Sequence, residues 1–208
     1  TKSCWIKHKE EIKMALWGHT SGTESKPNYL STAEKDKTQA TAGGWELSKT
    51  VGSRTLTERL VAIKNLTVKL GAADITKLTW VTTAADKSAG FTLSVKALFN
   101  EAVDVTGTPQ LSVTNGNEGT GTGRGPHALS YASGTGTNEL TFSLVIAAAN
   151  AATNADDVLS VGTNPLSLNG GTVKDKGTAT VYHLSDIEHT HTYFTDGVLV
   201  HNGGGMKY

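Results

Sequence analysis

The residues best suited to chemistry crowd into the last segment of the chain. His183, Asp186, Glu188, His189, His191 and His201 lie between Val181 and Asn202, and Asn202 is followed by Gly203. An asparagine amide can attack its own backbone carbonyl if a turn brings the two together and an acid stands nearby. Asn202-Gly203 is therefore a candidate for slow deamidation or backbone cleavage. Imidazoles also hold metals, and in an extended Glu188-His189-Thr190-His191 the two histidines fall on one side of the strand. Zinc demands ligands at fixed geometry, and neither a cysteine nor a second spaced pair joins these two. Glu101, Asp104, Asp156 and Asp157 follow no calcium-loop spacing. No metal and no cofactor is expected, and solvent-facing histidines are the ordinary reading.

The run His191-Thr192-Tyr193-Phe194-Thr195-Asp196-Gly197-Val198-Leu199-Val200-His201-Asn202, preceded by Val181-Tyr182-His183-Leu184, resembles the C-terminal block of inteins and related Hint domains. The resemblance implies that Asn202 is the cyclising residue, His201 its helper and His191 the upstream histidine of the block. Splicing in that family also takes a Cys, Ser or Thr after the asparagine, where this chain has Gly203. It takes an N-terminal nucleophile block too, and Cys4 does not sit in such a context, while Thr180-Val181-Tyr182-His183 falls in the wrong part of the chain. The segment is therefore read as an intein-like remnant or a strand pair reused for folding, with no residue assigned as catalytic. No paired carboxylates, nucleophile elbow or Ser/His/Asp order points to a hydrolase, so the chain is not expected to be an enzyme.

These residues must be positioned by elements that the rest of the sequence specifies. The 208 residues suffice for one good core with smaller attached pieces. Lys+Arg and Asp+Glu number 19 each, a zero net charge without a basic block, so neither the footprint of a nucleic-acid binder nor a grip on an anionic membrane is present. The longest apolar run, Leu144-Val145-Ile146-Ala147-Ala148-Ala149, is too short to span a bilayer. A single cysteine, Cys4, excludes an internal disulfide. Residues 1–13 carry Lys9-Glu10-Glu11-Ile12-Lys13 just before Met14 and no apolar signal run. They are read as translated upstream sequence, or else as an amphipathic N-terminal arm.

Residues 14–68 form a small docking segment. Met14-Ala15-Leu16-Trp17-Gly18, Lys26-Pro27-Asn28-Tyr29-Leu30 and Gly43-Gly44-Trp45-Glu46-Leu47 precede a strand over Glu58–Ile63. This order resembles the opening of small structural proteins of marine tailed phages. Pro27 forces an extended entry at Lys26. Ser31, with Glu34 three residues on, is a capping box opening a brief helix. Trp17, Tyr29 and Trp45 are the large apolar groups available, expected to pack together or onto a neighbouring chain. So thin a hydrophobic content points to assembly.

Residues 69–180 read as a β-rich unit. Alternation sets Phe91, Leu93, Val95, Ala97 and Phe99 against Thr92, Ser94 and Lys96, and Leu140, Phe142, Leu144 and Ile146 against Thr141 and Ser143. Further strands are expected over 75–81, 110–113, 129–132, 159–161 and 166–168. Asn115-Gly116, Gly134-Thr135-Gly136 and Asn169-Gly170-Gly171 are the turn signals. The glycine-rich stretch 116–125 is a surface loop whose Arg124 is a candidate outward contact; it lacks the Lys-Ser/Thr and helix of a phosphate cradle. Phe99–Leu111, Leu129–Phe142 and Leu168–Asp175 together resemble the immunoglobulin-like repeats of bacterial surface proteins and phage virions. That resemblance implies an Ig-like antiparallel β-sandwich, followed by a Hint-like tail over 181–208.

The function expected is that of a virion structural or decoration protein of a tailed phage. A multimeric docking segment would hold other virion proteins, and the displayed Ig-like module would touch host-surface glycans weakly and multivalently. The alternatives are a fragment of a bacterial surface adhesin and the remnant of an autoprocessing Hint element. The expected binding residues are Trp17, Tyr29, Trp45 and Arg124.

Overall fold

The computed structural model describes residues 25–116, 126–150, 153, 157–162, 164–176 and 198–201. Trp17, Arg124, His191 and Asn202 lie outside them. The protein is mainly β, and its chain divides into two compact units, Thr1–Gly71 and Ala72–Tyr208.

The smaller unit opens on the short helix α1 (Thr32–Asp36). Ser31 caps it: its hydroxyl accepts from the Glu34 N–H, and the Glu34 carboxylate accepts from the Ser31 N–H at 3.0 Å, the reciprocal box expected from the sequence. Strands β1 (Thr38–Thr41), β2 (Gly44–Val51) and β3 (Arg54–Ala62) follow as an antiparallel meander, then helix α2 (Leu66–Leu70). Ala40, Trp45 and Leu66 form its core, with Val61, Ile63 and Leu70 against it. The unit thus carries a small core of its own despite its thin apolar content. A bulge between Trp45 and Glu46 shifts the β2–β3 register. Gly44 sits at φ +132, where a Cβ would collide with the Val61 carbonyl, so β3 can lie this close only against glycine.

The larger unit holds β4 (Ile75–Trp80), β5 (Ala85–Asp86), β6 (Phe91–Thr106), β7 (Gln110–Gly116), β8 (His127–Ser133), β9 (Thr137–Ile146), β10 (Val158–Ser160), β11 (Leu166–Ser167), β12 (Thr172–Asp175) and β13 (Val198–His201). Hydrogen bonding runs along β6-β9-β8-β7-β10-β13-β5 without closing, and β4 and β12 both pair with β6 while β11 pairs with β7. The pairings are antiparallel except β13 with β5, which is parallel.

The strand alternation read from the sequence holds here. Leu93, Val95, Ala97, Phe99, Leu140, Phe142 and Ile146 are buried in one cluster with Leu111, Val113, Leu129 and Leu159, and Leu144 packs on it half-buried. Two expectations need correction. The Phe91 strand does not stop at Phe99 but runs on to Thr106 through a register shift between Leu98 and Val103, because β12 gives its far half a second neighbour. Asn115-Gly116 is not a turn: both residues lie in β7 opposite Leu159 and Val158, and tertiary pairing with β10 outweighs their turn preference. The other two signals are turns, with Gly134, Gly136, Asn169 and Gly170 all at positive φ.

Candidate functional site

In the smaller unit the aromatic residues expected to dock part company. Trp45 is 2% exposed, sealed between Ala40 and Leu66, whereas Tyr29 is 58% exposed. Trp45 is thereby corrected from a contact residue to a core residue. The hairpin of β2 and β3 places its indole on the inner face, and a ring already packed on its own unit cannot also cover a partner. Beside it the Lys26 ammonium stands 5.9 Å from the ring centroid and donates to the Lys35 carbonyl at 2.7 Å. Burial pulls the Lys26 pKa down to about 8, against an upward pull from Asp36.

Exposed apolar side chains of this unit lie at Val68 on α2 and on the outer part of its hairpin. From Lys49 in β2 to Arg59 in β3 every residue is exposed, among them Val51 at 62% and Leu56 at 54%. The register sets Leu56 opposite Lys49 and Arg54 opposite Val51, so Val51 and Leu56 are diagonal neighbours on one face. Ion pairs brace the arm: Lys49 Nζ to Glu58 Oε2 at 3.2 Å, and Arg59 Nη2 to Glu46 Oε1 at 2.8 Å. Solvent screens such pairs, so they set register more than they stabilise.

Two polar clusters in the larger unit bring together residues that the sequence offers only singly, Glu101 and Asp157 among them. In one, Glu101 is 2% exposed with Oε1 buried and unpaired. Burial, with Asp175 and Asp74 nearby, pushes its carboxyl up to about 8, so it is protonated at neutral pH. The three acids come from separate segments stitched together by backbone contacts. The Asp175 carboxylate accepts from the Ala73 N–H at 2.9 Å, Asn100 N–H donates to the Asp74 carbonyl, and Lys176 N–H donates to the Ala102 carbonyl. Among the described residues no group of three metal-ligating side chains is disposed to hold a metal ion.

In the other cluster, buried Lys87 donates to the carbonyls of Ala147, Ala148 and Asn150 at 3.2, 2.6 and 2.6 Å, locking the turn after β9. His127 Nε2 meets the Thr153 hydroxyl at 2.9 Å. Burial lowers the His127 pKa, partly offset by Asp157 and reinforced by Lys87. A hydroxyl, an imidazole and a carboxylate in this order carry the residue types of a nucleophilic triad. Thr153 and Asp157 are nevertheless sealed at 0% and 1% exposure, where no substrate reaches the hydroxyl, so the cluster serves the core.

Of the intein-like residues, His201 alone is described. It ends β13, whose backbone pairs with β10 at Leu199 and with Asp86 of β5 at His201. Trp17, Arg124, His191 and Asn202, the remaining site residues expected from the sequence, lie outside the described residues. No family model, curated protein or solved structure matches the chain.

Proposed function

We propose that the protein is a structural or decoration component of a tailed-phage virion, held by its smaller unit and displaying the larger one as an Ig-like module for weak multivalent contact. The observation that carries this reading is the hairpin arm of the smaller unit. Its Val51 and Leu56 face solvent together between the exposed charges of the hairpin, and an apolar patch with a charged rim suits a protein contact. Tyr29, also exposed, is the aromatic anchor to expect at such a contact. The alternation over β6 and β9 and the glycine turn at 134–136 support the Ig-like assignment of the larger unit.

The Val198–His201 strand, paired on both sides, fits the reading of the C-terminal block as a folding element rather than a reactive one. An adhesin fragment would use the same module, and the two readings part on where the chain is found. The test is incorporation of tagged full-length chain into particles made in a host expressing it. Wild type is expected in the particle band of a density gradient and Tyr29→Ala largely outside it, with the same melting temperature. Wild type absent from the band would overturn the proposal.

A further inference from the structure

The outer edge of β3 offers a second copy of this chain its own complement. Among the described residues β3 has one strand neighbour, β2, and its residues Arg54 to Arg59 are exposed. A strand with one free edge presents a row of N–H and C=O groups that another strand can pair. From the register of this edge and its charges we infer that two copies associate by antiparallel pairing of β3 with β3 about a two-fold axis at Leu56. The inference does not rest on the virion reading.

The register follows from geometry and charge. A two-fold axis perpendicular to a sheet sets opposite each other only residues whose side chains share a face, so the axis must pass at a residue rather than between two. With the axis at Leu56, Leu56 meets Leu56, Thr55 meets Thr57 twice, and Arg54 meets Glu58 twice. Apolar, hydroxyl and opposite-charge cross-strand pairs are the favourable kinds. Moving the axis to Thr57 sets Leu56 against Glu58, and moving it to Glu58 sets two glutamates face to face. Only the Leu56 register satisfies every position. Arg54 has no ion-pair partner among the described residues. Glu58 accepts from Lys49 through Oε2, and a carboxylate has lone pairs to accept a second cation. The Val51 side chain of each copy lies on the face that carries Leu56, so the pairing extends two small patches into one four-residue apolar strip.

In this register residues 54–58 of each copy pair, and so short an edge buries less than the ~1,200 Å² of a stable standard interface, so the association is concentration-dependent. Sedimentation equilibrium of the full chain up to roughly millimolar protein reads it. Wild type is expected to show a reversible monomer–dimer equilibrium. Arg54→Glu and Glu58→Arg should each remain monomeric, because each sets like charges opposite one another at both ends of the pairing. Mixed one to one, the two variants should dimerise with each other, since the acidic edge then meets the basic one. That recovery also shows that both variants are folded. Wild type that stays monomeric throughout the range overturns the inference, as does a dimer unaffected by both substitutions or a mixture that does not recover. The register has its own readout. In a Cys4→Ser background, Leu56→Cys should form a disulfide-linked dimer on mild oxidation, and Thr57→Cys should not. Equal cross-linking at both positions would contradict the axis.

Discussion

Glu101 sits in the fold with its carboxyl protonated at neutral pH, and this makes stability depend on pH in an unusual direction. Its folded pKa, about 8, stands above the ordinary carboxylate value of 4.5. Between those values the unfolded chain has released the proton and the native chain keeps it. Native protein then binds more protons, and stability falls as pH rises through the window. Below the window both states are protonated and nothing changes. His127 works against acid: burial lowers its folded pKa, so the unfolded state gains a proton first as pH drops and stability falls on that side. Glu101→Gln should remove the alkaline slope and leave the acid limb intact. Urea melts from pH 4 to 9 check this; the wild-type-minus-variant difference should change by an amount on the order of a few kcal/mol across the window. A flat difference would place the Glu101 proton elsewhere. In the sequence Glu101 stands out only as one of several acids without calcium-loop spacing. Glu101 follows Phe99 and Asn100 in a pattern that reads as the end of a strand, and its burial arises only because residues 73–74 and 175 fold onto it from far along the chain.

The elements divide in the same way between what spacing encodes and what contact decides. The capping box at Ser31 and Glu34 was legible because it is local, closed by residues three apart. The alternation in β6 and β9 was legible because one face is buried along the whole length. Asn115-Gly116 misled, since turn preference cannot report that β10 is waiting to pair. Trp45 misled for a related reason: an aromatic beside two glycines is equally suited to a contact and to a small core, and the packing of Leu66 from α2 decides for the core. Trp45→Ala should therefore unfold the smaller unit, costing about 3–5 kcal/mol. In hydrogen exchange the amides of β1 to β3 should lose protection while those of β6 and β9 keep it. The turn between β8 and β9 makes a second test. Gly134 sits at φ +118 with no room for a Cβ beside the Glu139 carbonyl, and the Thr135 N–H donates to the Tyr131 hydroxyl. Gly134→Ala should cost at least 1 kcal/mol by the strain of that backbone, roughly, and lower the melting temperature of the larger unit. An unchanged melt would mean the turn relaxes without loss.

At the scale of the molecule, two units each close a core around their own strands: Ala40, Trp45 and Leu66 in the smaller, and Phe99 and Phe142 with their neighbours in the larger. Residues 72–208 expressed alone should keep a β-type circular dichroism spectrum and a cooperative melt, since none of that core comes from the preceding residues. The larger unit buries Lys87, Glu101, His127, Asp157 and Asp175, and the smaller one exposes Val51, Leu56, Val68 and Tyr29. A packed body to display and a surface to attach are what the proposed virion role would need. The most direct test is peptide mass spectrometry of purified particles against the cell-envelope fraction of the same culture. The account predicts peptides from both units, enriched in particles at a constant ratio to the other virion proteins. Peptides confined to the envelope fraction would contradict it and favour the adhesin.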